Sequence, residues 1–111
     1  MIEEAIQSWG FETVVRASLE DSRESLRRQD FALIFCEDEC EDGTYRDLLS
    51  MVRDNKIPVV VMTPLAEQGC VLGEAIELGA LDVLPSPFSR QDVQWMVISA
   101  TQRGSVSRIA R

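Results

Sequence analysis

The sequence predicts an α/β domain with a doubly wound parallel sheet, three layers deep, helices covering both faces. Three observations point there. The stretch Ile57-Pro58-Val59-Val60-Val61-Met62-Thr63-Pro64 is apolar on both faces of its pleat, which suits a strand covered on each side. Strand-like and helix-like patterns alternate along the chain as α-β-α-β-α-β-α-β-α, the arrangement that right-handed crossovers turn into a parallel sheet. The length of 111 residues, 45% of them hydrophobic, is enough for one domain with one buried core.

In chain order, Ile2, Ala5, Ile6 and Trp9 recur at helical spacing, and Gly10 stops that helix. Thr13-Val14-Val15 reads as a short strand. Ser18 can cap a second helix, acidic early and ending in Arg27-Arg28 as the helix dipole prefers. Asp30 to Cys36 is a buried strand, followed by the acidic loop Glu37 to Gly43. Thr44 caps a helix carrying Tyr45, Leu48, Leu49 and Val52.

The strand at 57–62 comes next. Pro58 sits at its start, where no ladder donor is needed, and Pro64 is expected to end the pairing. A helix from about Ala66 to Leu78 stops at Gly79, and Leu81 to Leu84 is a short strand. Ser89 caps a last helix that turns Val93, Met96, Val97 and Ala100 inward. Residues 1–102 form the domain, and 103–111, rich in Gly, Ser and Arg, read as a frayed tail.

The composition narrows the function. A net charge of −8 and a pI near 4.4 argue against sequence-independent nucleic-acid binding, which needs a basic face. Neither a membrane-length apolar run nor a signal peptide is evident, so the reading is a cytoplasmic protein whose partners are proteins or cations. Three cysteines suggest reduced thiols rather than disulfides. Histidine is absent, which removes the commonest general base and metal ligand. Among acidic neighbours, Cys36 and Cys40 have thiol pKa values raised rather than lowered, so a redox or zinc site is not expected. Cys36, Cys70, Trp9 and Trp95 read as packing residues.

Three stretches resemble the receiver domain of response regulators, the phosphoacceptor module of two-component signalling. Phe31 to Glu37 with Glu41-Asp42-Gly43 resembles its third strand, acceptor position and following loop. Ile57 to Pro64 is similar to its fourth strand with the switch hydroxyl, and Glu74 to Phe88 looks like its helix–Gly-Ala–strand–Lys-Pro region. The resemblance spans roughly residues 1–101 and implies a flavodoxin-like (CheY-like) fold.

Carried over by position, the resemblance puts Glu37 at the phosphoacceptor, Thr63 at the switch hydroxyl, Ser86 at the lysine before the proline and Val83 at the aromatic switch. It also implies a cis bond at Ser86-Pro87. The acidic pair that holds a divalent cation ends the family's first strand, and that strand is absent from this chain.

Phosphoryl transfer to a carboxylate needs charge neutralisation by a metal and a cation. The one lysine, Lys56, precedes the 57–62 strand and so belongs to the opposite end of the sheet. That end lies roughly 17 Å from the expected site. Glu37 then reads as a fixed, partial imitation of a phosphorylated residue. Asp38 is a candidate for weak Mg²⁺ binding, and Glu39, Glu41 and Asp42 read as a solvated loop. Thr63 is expected to close the strand end, with Ser86 bonded to it.

The leading expectation is a degenerate receiver: a non-enzymatic protein-interaction module, with a signalling protein or a second copy as partner, no resident cofactor and no nucleic acid. The alternatives are a receiver phosphorylated on Asp38, and an unrelated small α/β enzyme. In the family the absent strand lies centrally, in strand order 2-1-3-4-5. Its loss predicts strands 13–15 and 31–36 standing about 10 Å apart. An incomplete start or a dimer that repairs the sheet is the favoured remedy. Sliding of the strands together, or filling of the slot by Ser105 to Arg111, are the others.

Overall fold

The computed structural model describes residues 12–14, 18–28, 30–53, 57–64, 67–101 and 108–110. The helix expected at Met1 to Trp9 lies outside them. In order the elements are β1 (Glu12–Val14), α1 (Leu19–Arg28), β2 (Leu33–Glu37), β3 (Glu39–Cys40), β4 (Gly43–Thr44), α2 (Tyr45–Val52), β5 (Val59–Pro64), α3 (Gln68–Glu77), β6 (Asp82–Ser86), α4 (Arg90–Thr101) and β7 (Arg108–Ala110).

Helix ends form where local chemistry satisfies the orphan backbone groups. The Ser18 hydroxyl accepts from the Asp21 amide at 3.1 Å. At α2, Thr44 and Asp47 make a reciprocal capping box: the Thr44 amide donates to Asp47 Oδ2 at 3.0 Å while the Thr44 hydroxyl accepts from the helix amides. Ser89 and Asp92 repeat the arrangement at α4, at 2.9 and 3.1 Å. α3 ends at Gly79 with φ +107°, where the Ala80 amide reaches the Ala75 carbonyl at 2.9 Å and the Gly79 amide the Ile76 carbonyl at 3.1 Å. That pair of bonds is a Schellman motif, and its left-handed residue favours glycine.

The sheet runs β1-β7-β2-β5-β6, with every neighbouring pair parallel. Period-2 alternation splits the core in two. On one face Leu33, Phe35, Val60, Met62 and Leu84 pack under Val93, Met96, Val97 and Ala100 of α4. On the other, Ile34, Val59, Val61 and Val83 pack under α2 and α3, with Leu19 and Leu26 of α1 beside them. Helices on both sides explain why the 57–64 run carries no polar residue before Thr63.

The slot of the absent strand is filled. β7 lies between β1 and β2, with Thr13 and Leu33 both opposite Ile109. The chain's own later segment thus lies in the slot, the filling by Ser105 to Arg111 that the sequence offered as an alternative to the favoured incomplete start or repairing dimer. An internal gap leaves two rows of backbone groups unpaired, and any extended segment within reach relieves that. The frayed-tail reading accordingly fails at Arg108–Ala110.

Strand bounds shift too. β5 continues through Pro64, which stands opposite Ser86, because proline removes a donor but not an acceptor. β6 includes Pro85, tolerable because β6 is an edge strand.

Candidate functional site

Parallel strands bring their carboxyl ends to one edge, and here that edge gathers Glu37, Asp38, Thr63 and Ser86. In open α/β sheets ligands bind at this edge. Just past β2, the Asp38 amide donates to the Met62 carbonyl at 2.9 Å, and the Asp38 carbonyl accepts from the Tyr45 amide at 3.1 Å. Residue 38 is thereby tied to both β5 and the start of α2.

Thr63 is 1% exposed, and its hydroxyl donates to Asp38 Oδ2 at 3.1 Å. The carboxylate brought to Thr63 is therefore that of Asp38. Glu37 is exposed and stands opposite Met62 in the register. Residues 39–44, read as a loop, fold into the antiparallel hairpin β3–β4. Asp38, rather than Ser86, is also the partner found for the Thr63 hydroxyl.

Ser86 ends β6, and the Ser86-Pro87 bond is cis as expected. Val83 is buried against the α2–α3 side of the core, where an aliphatic side chain packs without any ring to reorient.

The acidic loop is not simply solvated. Asp42 reaches across to α1, accepting from the Leu19 amide at 2.7 Å and the Glu20 amide at 3.1 Å. These bonds, the Leu19 bond first, hold the Asp42 carboxyl below its ordinary pKa. A Cβ built at Gly43 would come within 2.2 Å of Leu19 Cδ1 and 2.6 Å of Asp47 Oδ2. The hairpin is thus wedged between two helix starts. Behind it, Arg46 of α2 is paired with Glu74 of α3, its Nη2 at 3.1 Å from Oε2, and stacks 4.9 Å from the Tyr45 ring. Glu74 is held low chiefly by Arg46, and burial pushes the Tyr45 phenol up. The sequence offered only faint signals for these contacts: the Asp-Gly turn, and the acid three residues beyond Thr44.

Cys36 donates to the Glu37 carbonyl at 3.1 Å, and burial, with nearby Cys40, Glu37 and Asp38, pushes its thiol up to about 12. It is no nucleophile at neutral pH. Cys40 is raised as well, first by desolvation. Cys70 and Trp95, expected as packing residues, are exposed, Trp95 by 64%. Trp95 lies on the face of α4 opposite the inward stripe Val93-Met96-Val97-Ala100. Trp9 lies outside the described residues.

Among the described residues no group of three or more His, Cys, Asp or Glu is placed to hold a metal ion. β7, in the position of the family's first strand, carries Arg108, Ile109 and Ala110 and brings no carboxylate.

Solved structures identify the architecture. The chain superposes on the signal receiver domain of a Luxo repressor protein from Vibrio parahaemolyticus with a TM-score of 0.83 and 17% identity, covering 92% of this chain and 79% of that one. It has the receiver-domain fold. A second similar structure is the beryllofluoride-activated NtrC4 receiver domain dimer, with TM-score 0.84, 19% identity, and 94% and 87% of the two chains covered. A third is the receiver domain of a sensor histidine kinase from Pseudomonas aeruginosa with magnesium in its active-site cleft, with TM-score 0.74, 22% identity, and 88% and 83% covered. No family model and no curated protein matches the sequence. Within the receiver fold, Asp38, Thr63 and Ser86 lie at the edge where such sheets carry their sites.

Proposed function

We propose that this chain is a receiver-like signalling module of the cytoplasm, acting through protein contacts without phosphorylation and without catalysis of its own. Asp38, in place of Glu37, takes the acceptor-equivalent position. The observation that carries the reading is the Thr63–Asp38 hydrogen bond, at an edge where no lysine stands among the described residues. The chain's single lysine, Lys56, falls outside the described residues, three positions before the opposite end of β5. The Arg46 guanidinium is engaged by Glu74. Added phosphate would bring a charge of about −1.5 to −2 beside the Asp38 site, where among the described residues no lysine stands to neutralise it.

The protein-contact half of the reading rests on surface. Among the described residues the exposed large hydrophobics are Ile76, Leu78, Trp95 and Ile98, all on α3, its C-cap or α4. Those two helices cover the two faces of edge strand β6. Trp at this exposure is characteristic of contact hot spots. The partner is a protein, a second copy included; one structure of the same fold is a dimer.

A second reading has one observation in its favour. A half-buried carboxylate beside a buried threonine hydroxyl is also the beginning of a phosphoacceptor site, with Asp38 as acceptor. Incubation with acetyl phosphate and Mg²⁺ followed by intact-mass measurement separates the two. The proposal expects no phosphoryl adduct. An adduct that disappears in Asp38→Asn establishes the second reading.

A further inference from the structure

We infer that the interior slot between β1 and β2 is an exchangeable strand-binding site, filled in cis by Arg108–Ala110 and fillable in trans by the same strand of a second copy. Its walls come from residues 12–14 and 33–37, and the segment that fills it arrives more than seventy residues later in sequence. Both walls of the slot therefore precede its occupant in the chain.

Pairing on both sides is parallel. Glu12, Thr13 and Val14 stand opposite Arg108, Ile109 and Ala110, and Leu33 and Ile34 opposite Ile109 and Ala110. Among the described residues β1 joins the sheet through β7 alone. With the slot empty its walls would stand about 10 Å apart, carrying two rows of unpaired backbone groups. Occupancy is in effect obligatory.

Recognition through the backbone does not depend on which chain supplies the strand. A second copy is the one partner guaranteed to carry the same residues in the same register. Only the link decides between cis and trans. Residues 102–107 connect α4 to β7, and six residues reach at most about 20 Å. A short tether sets an effective concentration on the order of millimolar. The parent chain therefore closes on itself at micromolar concentration. Shortening the tether strains the cis route and leaves the trans route intact, the usual origin of strand exchange.

The test uses the full chain and a version lacking residues 103–105. Each is refolded at high concentration and sized by chromatography with light scattering. The parent is expected to be monomeric at micromolar concentration, and deletion to raise the dimer fraction about tenfold. Two differently tagged preparations of the shortened chain should form mixed dimers only when refolded together. Ile109→Pro, which removes a strand donor, should abolish those dimers. In parallel, a fluorescein-labelled peptide with the sequence of residues 102–111 is refolded with the Ile109→Pro chain, whose own strand cannot compete for the slot. Saturable uptake is expected, and none for a peptide that itself carries Ile109→Pro. A shortened chain that stays folded and monomeric overturns the inference, as do mixed dimers that survive Ile109→Pro. Failure of the peptide to be taken up also overturns it, as does equal uptake of a scrambled peptide.

Discussion

At the scale of single residues, two carboxylates adjoin the sheet edge and do different work. Asp38 faces the Thr63 hydroxyl, while Asp42 turns away to cap α1. Asp42's pKa is depressed in the folded state, so its stabilisation is present above the unfolded value near 3.8 and is lost as pH falls through the lower folded value. Asp42→Asn is therefore expected to lower the unfolding midpoint at pH 7 and to flatten its fall below about pH 4; acid titrations followed by circular dichroism report both effects. Thr63→Val keeps the volume but leaves Asp38 without its hydroxyl donor and costs about 1 kcal/mol, measured by urea denaturation. Thr63 was legible in the sequence because a hydroxyl ends an apolar run. Asp38 was not distinguishable from Glu37, since two adjacent acids at a strand end differ only in which one the following loop turns inward.

At the scale of elements, caps and stripes were the most readable features, being local. Ser18, Thr44, Gly79 and Ser89 terminate or start helices where their chemistry predicts, and Val93, Met96, Val97 and Ala100 face the core. Trp95 was misread because an apolar residue beside an inward stripe gives no sign of its own facing; only the neighbouring helix and strand decide it. The β3–β4 hairpin was also missed, four strand residues around a two-residue turn that reads in sequence as an acidic loop. Its tightness carries a prediction. Gly43→Ala pushes a methyl into Leu19 and into the Asp47 carboxylate of the capping box, and is expected to cost about 1–3 kcal/mol by overpacking. Thermal or denaturant unfolding checks it, and a neutral result would mean the hairpin yields freely.

At the scale of the whole molecule, the alternation of elements foretold the doubly wound sheet, and the missing strand was apparent by count. What fills the gap was offered only as a lesser alternative, because Arg108-Ile109-Ala110 has little strand character of its own and gains it from two neighbours. The resulting receiver fold keeps a carboxylate and a hydroxyl in contact at the site edge, with, among the described residues, no lysine and no carboxylate from β7 beside them. On the proposed reading this edge accepts no phosphoryl group. The most direct measurement is a beryllofluoride and Mg²⁺ titration of the ¹⁵N-labelled chain, following the backbone amides of Asp38 and Thr63. Unchanged resonances at saturating reagent are the predicted result. A new, saturable set of peaks at those two residues, lost in Asp38→Asn, would contradict the account.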